Sequence, residues 1–179
     1  MLGPIVEGDQ VRLEPVTRDH LPLLAKWRSD LASTRFLLIL QFPPSPTQHE
    51  AWLEKSSASQ EHIVWSVVDR SDEVVIGLCG FEKVSWRHRH ATGWTFIGDR
   101  SRWRRGLGSE TARLRTSYGF HHLGFEKVMT EIYMGNVASI RMVQKLGFRE
   151  AGVPRRHRFV DGAWQDLWIG EVLREDWKS

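Results

Sequence analysis

Cysteine is almost missing from this sequence: Cys79 stands alone. A lone thiol excludes an internal disulfide and any thiolate zinc cage. Long apolar runs are missing too, the longest being Phe36 to Leu40, far short of the roughly 20 residues that a membrane-crossing helix requires. Met1 to Asp9 lacks the basic start and long apolar stretch of a secretory signal, so a cytoplasmic protein without membrane contact is expected. No pair of histidines has a third ligand at metal spacing, and no metal is expected. Low-complexity tracts, repeat arrays and linkers are absent, and 179 residues fit the ~100–200 of a typical domain; residues 1–179 are expected to form one.

What remains is an ordinary globular composition, 41% apolar and 26% charged, which excludes a disordered chain. The net charge of +3 is too small to argue for nucleic acid, which is not expected as a partner. Its arginines nevertheless cluster at Arg87 to His90, Arg102 to Arg105 and Arg155 to Arg158. Such clusters attract phosphates, although each could equally be a solvated face.

Along the chain, Val11 to Val16 reads as a strand and about Asp19 to Ser29 as a helix, with Leu21, Leu24, Ala25 and Arg28 at helical spacing. Three prolines interrupt Phe36 to Pro46, and Thr47-Gln48-His49-Glu50 has the form of a capping box opening a second helix. Ile63 to Asp69 and Val74 to Phe81 form a hairpin pattern around a polar turn, and a third strand is predicted over about Thr92 to Gly98. A glycine-bearing basic loop, Arg102 to Glu110, then leads into a helix to about His122. A strand at Glu126 to Tyr133 and a helix at Asn136 to Leu146 follow. Leu123-Gly124-Phe125 and Leu146-Gly147-Phe148 both read as glycine helix stops. The chain closes with a hairpin, Arg156 to Val160 and Trp164 to Arg174, turned at Asp161-Gly162. The fold class is α/β (α+β): a mixed, mainly antiparallel sheet of about seven strands with about four helices on both faces.

Two motifs carry chemistry. Arg104-Arg105-Gly106-Leu107-Gly108-Ser109 precedes a helix, where free N–H groups and the helix dipole favour phosphate and glycines permit close approach; the two glycines could instead only shape a turn. A Walker loop is excluded because no Gly-Lys-Ser/Thr follows, and the dinucleotide fingerprint fails at Thr111. In Asn136 to Phe148, Asn136 and Ser139 share one helix face near its N-terminus. Asn136 suits an N-cap, and the pair could also hold a ligand.

These two motifs, about thirty residues apart, resemble those of the GNAT superfamily of acetyl-CoA-dependent N-acetyltransferases. Val11 to Pro15, Trp103, Gly108-Ser109-Glu110 and Asp161 to Asp166 are similar to its RimJ/RimL-like branch, which acetylates ribosomal-protein N-termini. The resemblance implies acetyl-CoA as co-substrate and an amine acceptor, either a protein N-terminus or a small amine. It implies that Arg104, Arg105, Gly106, Leu107, Gly108 and Ser109 bind the CoA pyrophosphate, that Phe96, Ile97 and Gly98 meet pantetheine, and that Asn136 and Ser139 lie along the cofactor arm. Val143 stands where many members carry the tyrosine that protonates the leaving thiolate, so the resemblance points to Ser139 instead. Thr92 stands where related chains often have a glutamate.

An α-amine titrates near pH 8 and a lysine near 10.4, so a base must deprotonate the nucleophile. Glu82 is the first candidate and Asp166 the second; His88, His90, His121, His122 and His157 are chemically suited alternatives. An N–H near Ile97 is expected to meet the oxyanion. Phe36 to Leu40 is expected to wall the acceptor site or to form a homodimer contact, with Trp52, Trp86 and Trp94 contributing.

Overall fold

The structure, a computed structural model, describes residues 1–37 and 43–178. The elements in chain order are β1 (Val6–Glu7), β2 (Val11–Glu14), α1 (Leu21–Arg28), α2 (Leu31–Thr34), α3 (Pro46–Ala58), β3 (Ile63–Asp69), β4 (Val74–Ser85), β5 (His90–Ile97), α4 (Leu107–His121), β6 (Lys127–Tyr133), α5 (Val137–Lys145), β7 (Arg149–Gly152), β8 (Arg158–Val160), β9 (Ala163–Gln165) and β10 (Leu167–Leu173). Eight strands make one sheet in the order β1-β2-β3-β4-β5-β6-β10-β7. Its pairs are antiparallel except β5 with β6, which makes the sheet mixed and mainly antiparallel as expected.

Side-chain alternation divides the core into two layers. Trp65 and Val67 of β3 and Cys79 and Phe81 of β4 pack with Leu107, Leu114 and Phe120 of α4 and Ile140 and Val143 of α5. Val64, Leu78 and Phe96 point the other way, into Leu21, Leu24 and Trp27 of α1, with Trp52 and Leu53 of α3 behind them. Burying this apolar area is the main drive to fold. Both late helices stop at a left-handed glycine, Gly124 at φ 69° and Gly147 at φ 96°, with Phe125 and Phe148 folded back into the core.

Several expectations change. The sheet is larger than the seven strands expected, because β1 and β7 are short edge strands that lack the alternating pattern of the central ones. Among the described residues α2 is an extra helix, capped by the Asp30 carboxylate accepting from the Ala32 amide at 2.9 Å. The capping box at α3 uses Ser45 and Gln48 rather than Thr47 and Glu50. Pro46 takes the first helical position, where its missing N–H is no loss, and so shifts the start two residues back. The closing hairpin is confined to β8 and β9. After it the backbone turns at Asp166, and Leu167 to Leu173 enter the main sheet between β6 and β7. Leu38, Ile39 and Leu40, expected at the acceptor wall or a dimer contact, lie outside the described residues.

Candidate active site

Beyond Thr92, the two parallel strands at the centre of the sheet part. β5 pairs with β6 only through His90, Ala91 and Thr92 against Lys127, Val128 and Met129. Both strands run on, β5 to Ile97 and β6 to Tyr133. A sheet edge inside a protein leaves backbone N–H and C=O groups that must find other partners. A cavity of about 560 Å³ opens at this gap, with Gly93 to Phe96 on one wall and Thr130 to Ile132 on the other. Asn136, Ser139 and Val143 of α5 close one side, and Leu24, Arg28, His49 and Trp52 of α1 and α3 close another.

Arg115 of α4 sits at the root of the gap. It is 2% exposed and donates to the Trp94 carbonyl at 2.7 Å and to Thr95 Oγ1 at 2.9 Å. Its guanidinium lies over the Phe81 ring. Burial pulls its pKa down to about 10, so it remains charged at neutral pH. It ties α4 to β5, and it leaves no room for a side chain at position 93, since a Cβ there would lie 2.7 Å from the guanidinium carbon.

At the C-terminal end of β5, the chain makes the basic loop. Arg102 anchors it by ion pairs to Asp69, Asp72 and Asp99. Burial opposes ionisation of Asp69, but hydrogen bonds from Ser71 and the Arg102 guanidinium outweigh it and hold the carboxyl below the ordinary range. Trp103 Nε1 donates to the Ile97 carbonyl at 2.8 Å, tying the loop to the strand. Gly106 then takes φ 85° as the cap of α4, a backbone state that costs other residues roughly 1–2 kcal/mol. Ser109 and Glu110 return their amides to the Gly106 carbonyl. The amides of residues 104–108 make no hydrogen bond within the described residues, as the first turn of a helix dictates. A Cβ on Gly108 would meet nothing closer than Ile97 at 3.6 Å, so the loop presents open space as well as bare donors. Glu110, 7% exposed, accepts the Gln10 amide at 3.0 Å and fixes the β1–β2 turn against the same helix.

These observations gather most of the sequence-predicted residues and set others aside. Phe96, Asn136, Ser139 and Glu82 line the cavity. Asn136 caps α5, its Oδ1 accepting from the Ser139 amide at 3.3 Å, while Ser139 Oγ is uncommitted among the described residues. Glu82 pairs across to Thr92 just before a register shift in β4, where Lys83 adopts φ 52°. Lys83 pairs with Glu131, which leaves Glu82 as an uncommitted carboxylate in the cleft among the described residues. Asp166 does not line the cavity; its Oδ1 accepts the Arg156 amide at 2.8 Å and closes the last hairpin. Ile97 gives its carbonyl to Trp103, and Gly98 is spoken for on both sides: its amide donates to Ile76 and its carbonyl accepts from Ser33.

Trp52 and Trp94 line the cavity as expected, whereas Trp86 gives its Nε1 proton to the Gln60 carbonyl away from it. None of the five histidines weighed as bases lines it; His49 and His62 do. The signal for the missed wall was Arg28, a charge at the apolar spacing of α1. Among the described residues no group of three His, Cys, Asp or Glu side chains converges as a metal site would.

A family model described as "Acetyltransferase (GNAT) domain" matches residues 10–149. The chain belongs to the GNAT acetyltransferase family. It is an N-acetyltransferase. It is 27% identical over 175 residues to the uncharacterised N-acetyltransferase YoaA of Bacillus subtilis, covering 96% of this chain and 97% of that one. Among solved structures, a GCN5-related N-acetyltransferase from Brucella melitensis superposes with a TM-score of 0.80 at 27% identity, over 97% of this chain and 80% of that one. The spermidine N-acetyltransferase of Vibrio cholerae, solved with CoA and spermine, superposes with a TM-score of 0.88 over 94% and 98% of the two chains. At 18% identity that likeness concerns the fold.

Proposed function

We propose that this GNAT protein transfers the acetyl group of acetyl-CoA directly to a primary amine in a ternary complex, the acceptor being a small amine or a protein N-terminus. The observation that carries the reading is the parting of β5 from β6 together with the bare amides of residues 104–108 in the loop that follows β5. One end offers unpaired donors for a pyrophosphate. The other offers an apolar slot, between an open strand edge and α5, for a thioester-bearing arm.

In this reading the loop Arg104 to Ser109 holds the phosphates through the bare amides of residues 104–108, with Arg105 adding charge. Asn136 and the open edge at Phe96 align the arm. Glu82, facing the cleft without a cationic partner, accepts the proton of the ammonium directly or through water. The amine nitrogen bonds to the thioester carbon, the C–S bond breaks, and the thiolate leaves beside Ser139 in the first turn of α5. There the hydroxyl and the positive end of the helix dipole stabilise the departing sulfur. Asp166, already holding the Arg156 amide, serves the hairpin rather than the chemistry. The Trp103-led glycine motif and the closing Asp161 to Asp166 support assignment to the RimJ/RimL-like branch, working in the cytoplasm.

Initial rates of CoA release with acetyl-CoA and amine varied together test this. Intersecting double-reciprocal lines are expected, and parallel lines would replace direct transfer by an acyl-enzyme. Val143, in place of a proton-donating tyrosine, favours one second reading, a CoA-binding regulatory module. Thermal stabilisation by CoA with no turnover of any amine would establish it.

A further inference from the structure

The acceptor wall of the cleft carries cations that no carboxylate among the described residues neutralises. Arg28, the last residue of α1, lines the cavity with its charge half-buried. Burial alone pulls its pKa down, with no carboxylate raising it. A basic residue in a last helical turn often only complements the dipole, but Lys26 already does so from an exposed position one residue beyond Ala25. Nor can a carboxylate side chain come from positions 38–42, which read Leu-Ile-Leu-Gln-Phe.

Beside Arg28 stands His49 of α3, 3% exposed, its Nε2 buried with no hydrogen-bond partner among the described residues. Burial, and secondly the Arg28 charge, hold its pKa below the ordinary value. It is therefore a neutral imidazole at physiological pH. Arg115 at the root of the gap and Arg158 at the rim add two further charges. Against them the cleft sets one uncommitted carboxylate among the described residues, Glu82, because Glu131 is neutralised by Lys83. A half-buried guanidinium facing a cavity with no carboxylate partner among the described residues is a ready receptor for a bound oxyanion, which would complete the arrangement. Leu24, Leu37 and Trp52 surround this corner, so the rest of the bound molecule meets an apolar wall.

Resting on the acetyltransferase reading above, we propose that the acceptor is a small amine bearing a carboxylate, such as an α-amino acid with an apolar side chain. Arg28 binds the carboxylate at the α1–α3 wall beside His49, while the amine faces Glu82 and the thioester. A polyamine fits the opposite electrostatics, because its second ammonium would face Arg28.

Matched acceptors differing only in that charge test the idea: L-phenylalanine against L-phenylalaninamide, L-leucine against L-leucinamide, with spermidine as the polycation. The acids are expected to exceed their amides at least tenfold in kcat/KM, with spermidine below both. Arg28→Gln should collapse the acid-to-amide ratio toward one by raising KM for the acids, with CoA affinity unchanged, and Arg28→Lys should restore part of the ratio. A readout independent of turnover is binding of N-acetyl-L-phenylalanine and of its amide to CoA-loaded protein by calorimetry, where the acid should bind at least tenfold tighter. Equal binding of the two, binding of neither, or a preference for amides or spermidine overturns the proposal while CoA still binds. Failure of CoA itself to bind overturns instead the reading on which it rests.

Discussion

Replacing Gly106 by Asp and, separately, by Asn isolates the charge on which the cofactor assignment depends. Gly106 sits at φ 85°, and the nearest atom to an added Cβ is Gln10 Nε2 at 3.7 Å, so either side chain has room. Asn and Asp are the residues that best tolerate this backbone state, and the strain they share cancels in the comparison. For folding, a carboxylate at the start of α4 is favourable by about 0.3–1 kcal/mol through the helix dipole. For a pyrophosphate on the neighbouring amides it is repulsive. Unit charges ~5 Å apart at an effective dielectric of ~20 repel by ~3 kcal/mol, and surface screening leaves roughly 1.5–3 kcal/mol. That is an expected loss of about 10- to 100-fold in CoA affinity for Asp relative to Asn. Calorimetric titration with CoA at several salt concentrations, alongside thermal melts, reads both effects. Asp should melt at or above Asn yet bind CoA more weakly, and the gap should narrow with salt. Equal CoA affinities for the two variants at low salt would refute the placement of the phosphates on this loop.

Other outcomes follow from the same geometry. Ser139→Ala should lower kcat about tenfold or more while CoA affinity, by titration, changes little. Glu82→Gln should lower kcat about tenfold or more while CoA affinity changes little, and an unchanged rate would hand the base to water. Cys79, fully buried, has its thiol pushed up to about 12 by burial, so alkylating reagents should label it only after unfolding; rapid native labelling would contradict its place in the core. The Asp69 carboxyl is held below its ordinary value, so the unfolded chain protonates first. The stability it contributes is present above the ordinary Asp pKa of ~3.9 and drains away as pH falls through the lower folded value. Melting temperatures should therefore drop steeply below about pH 4, and Asp69→Asn should be less stable at pH 7 with a shallower acid fall.

Local chemistry made much of this molecule legible beforehand. The strands β3 to β6 and the helices α4 and α5 follow from alternating or helically spaced apolar residues ending at Gly124 and Gly147, signals contained within a few neighbours. Asn136, Ser139 and the glycine loop were visible for the same reason. What sequence could not show depends on partners far along the chain. The parting of β5 from β6 after Thr92 is a property of two strands and of Arg115 beneath them, and no window around Thr92 contains it. The bond from the Arg156 amide to Asp166, ten residues away across the last hairpin, is likewise a pairing that no local window shows. Arg28 was seen only as one more residue at helical spacing, because its meaning depends on His49 coming to it from another helix.

A crystal structure with bound CoA tests the central claim most directly. The account predicts the pyrophosphate on the amides of residues 104–108 and the pantetheine arm between β5 and β6 beyond Thr92, its sulfur beside Ser139. Phosphates bound elsewhere, or an arm lying outside that gap, would contradict it.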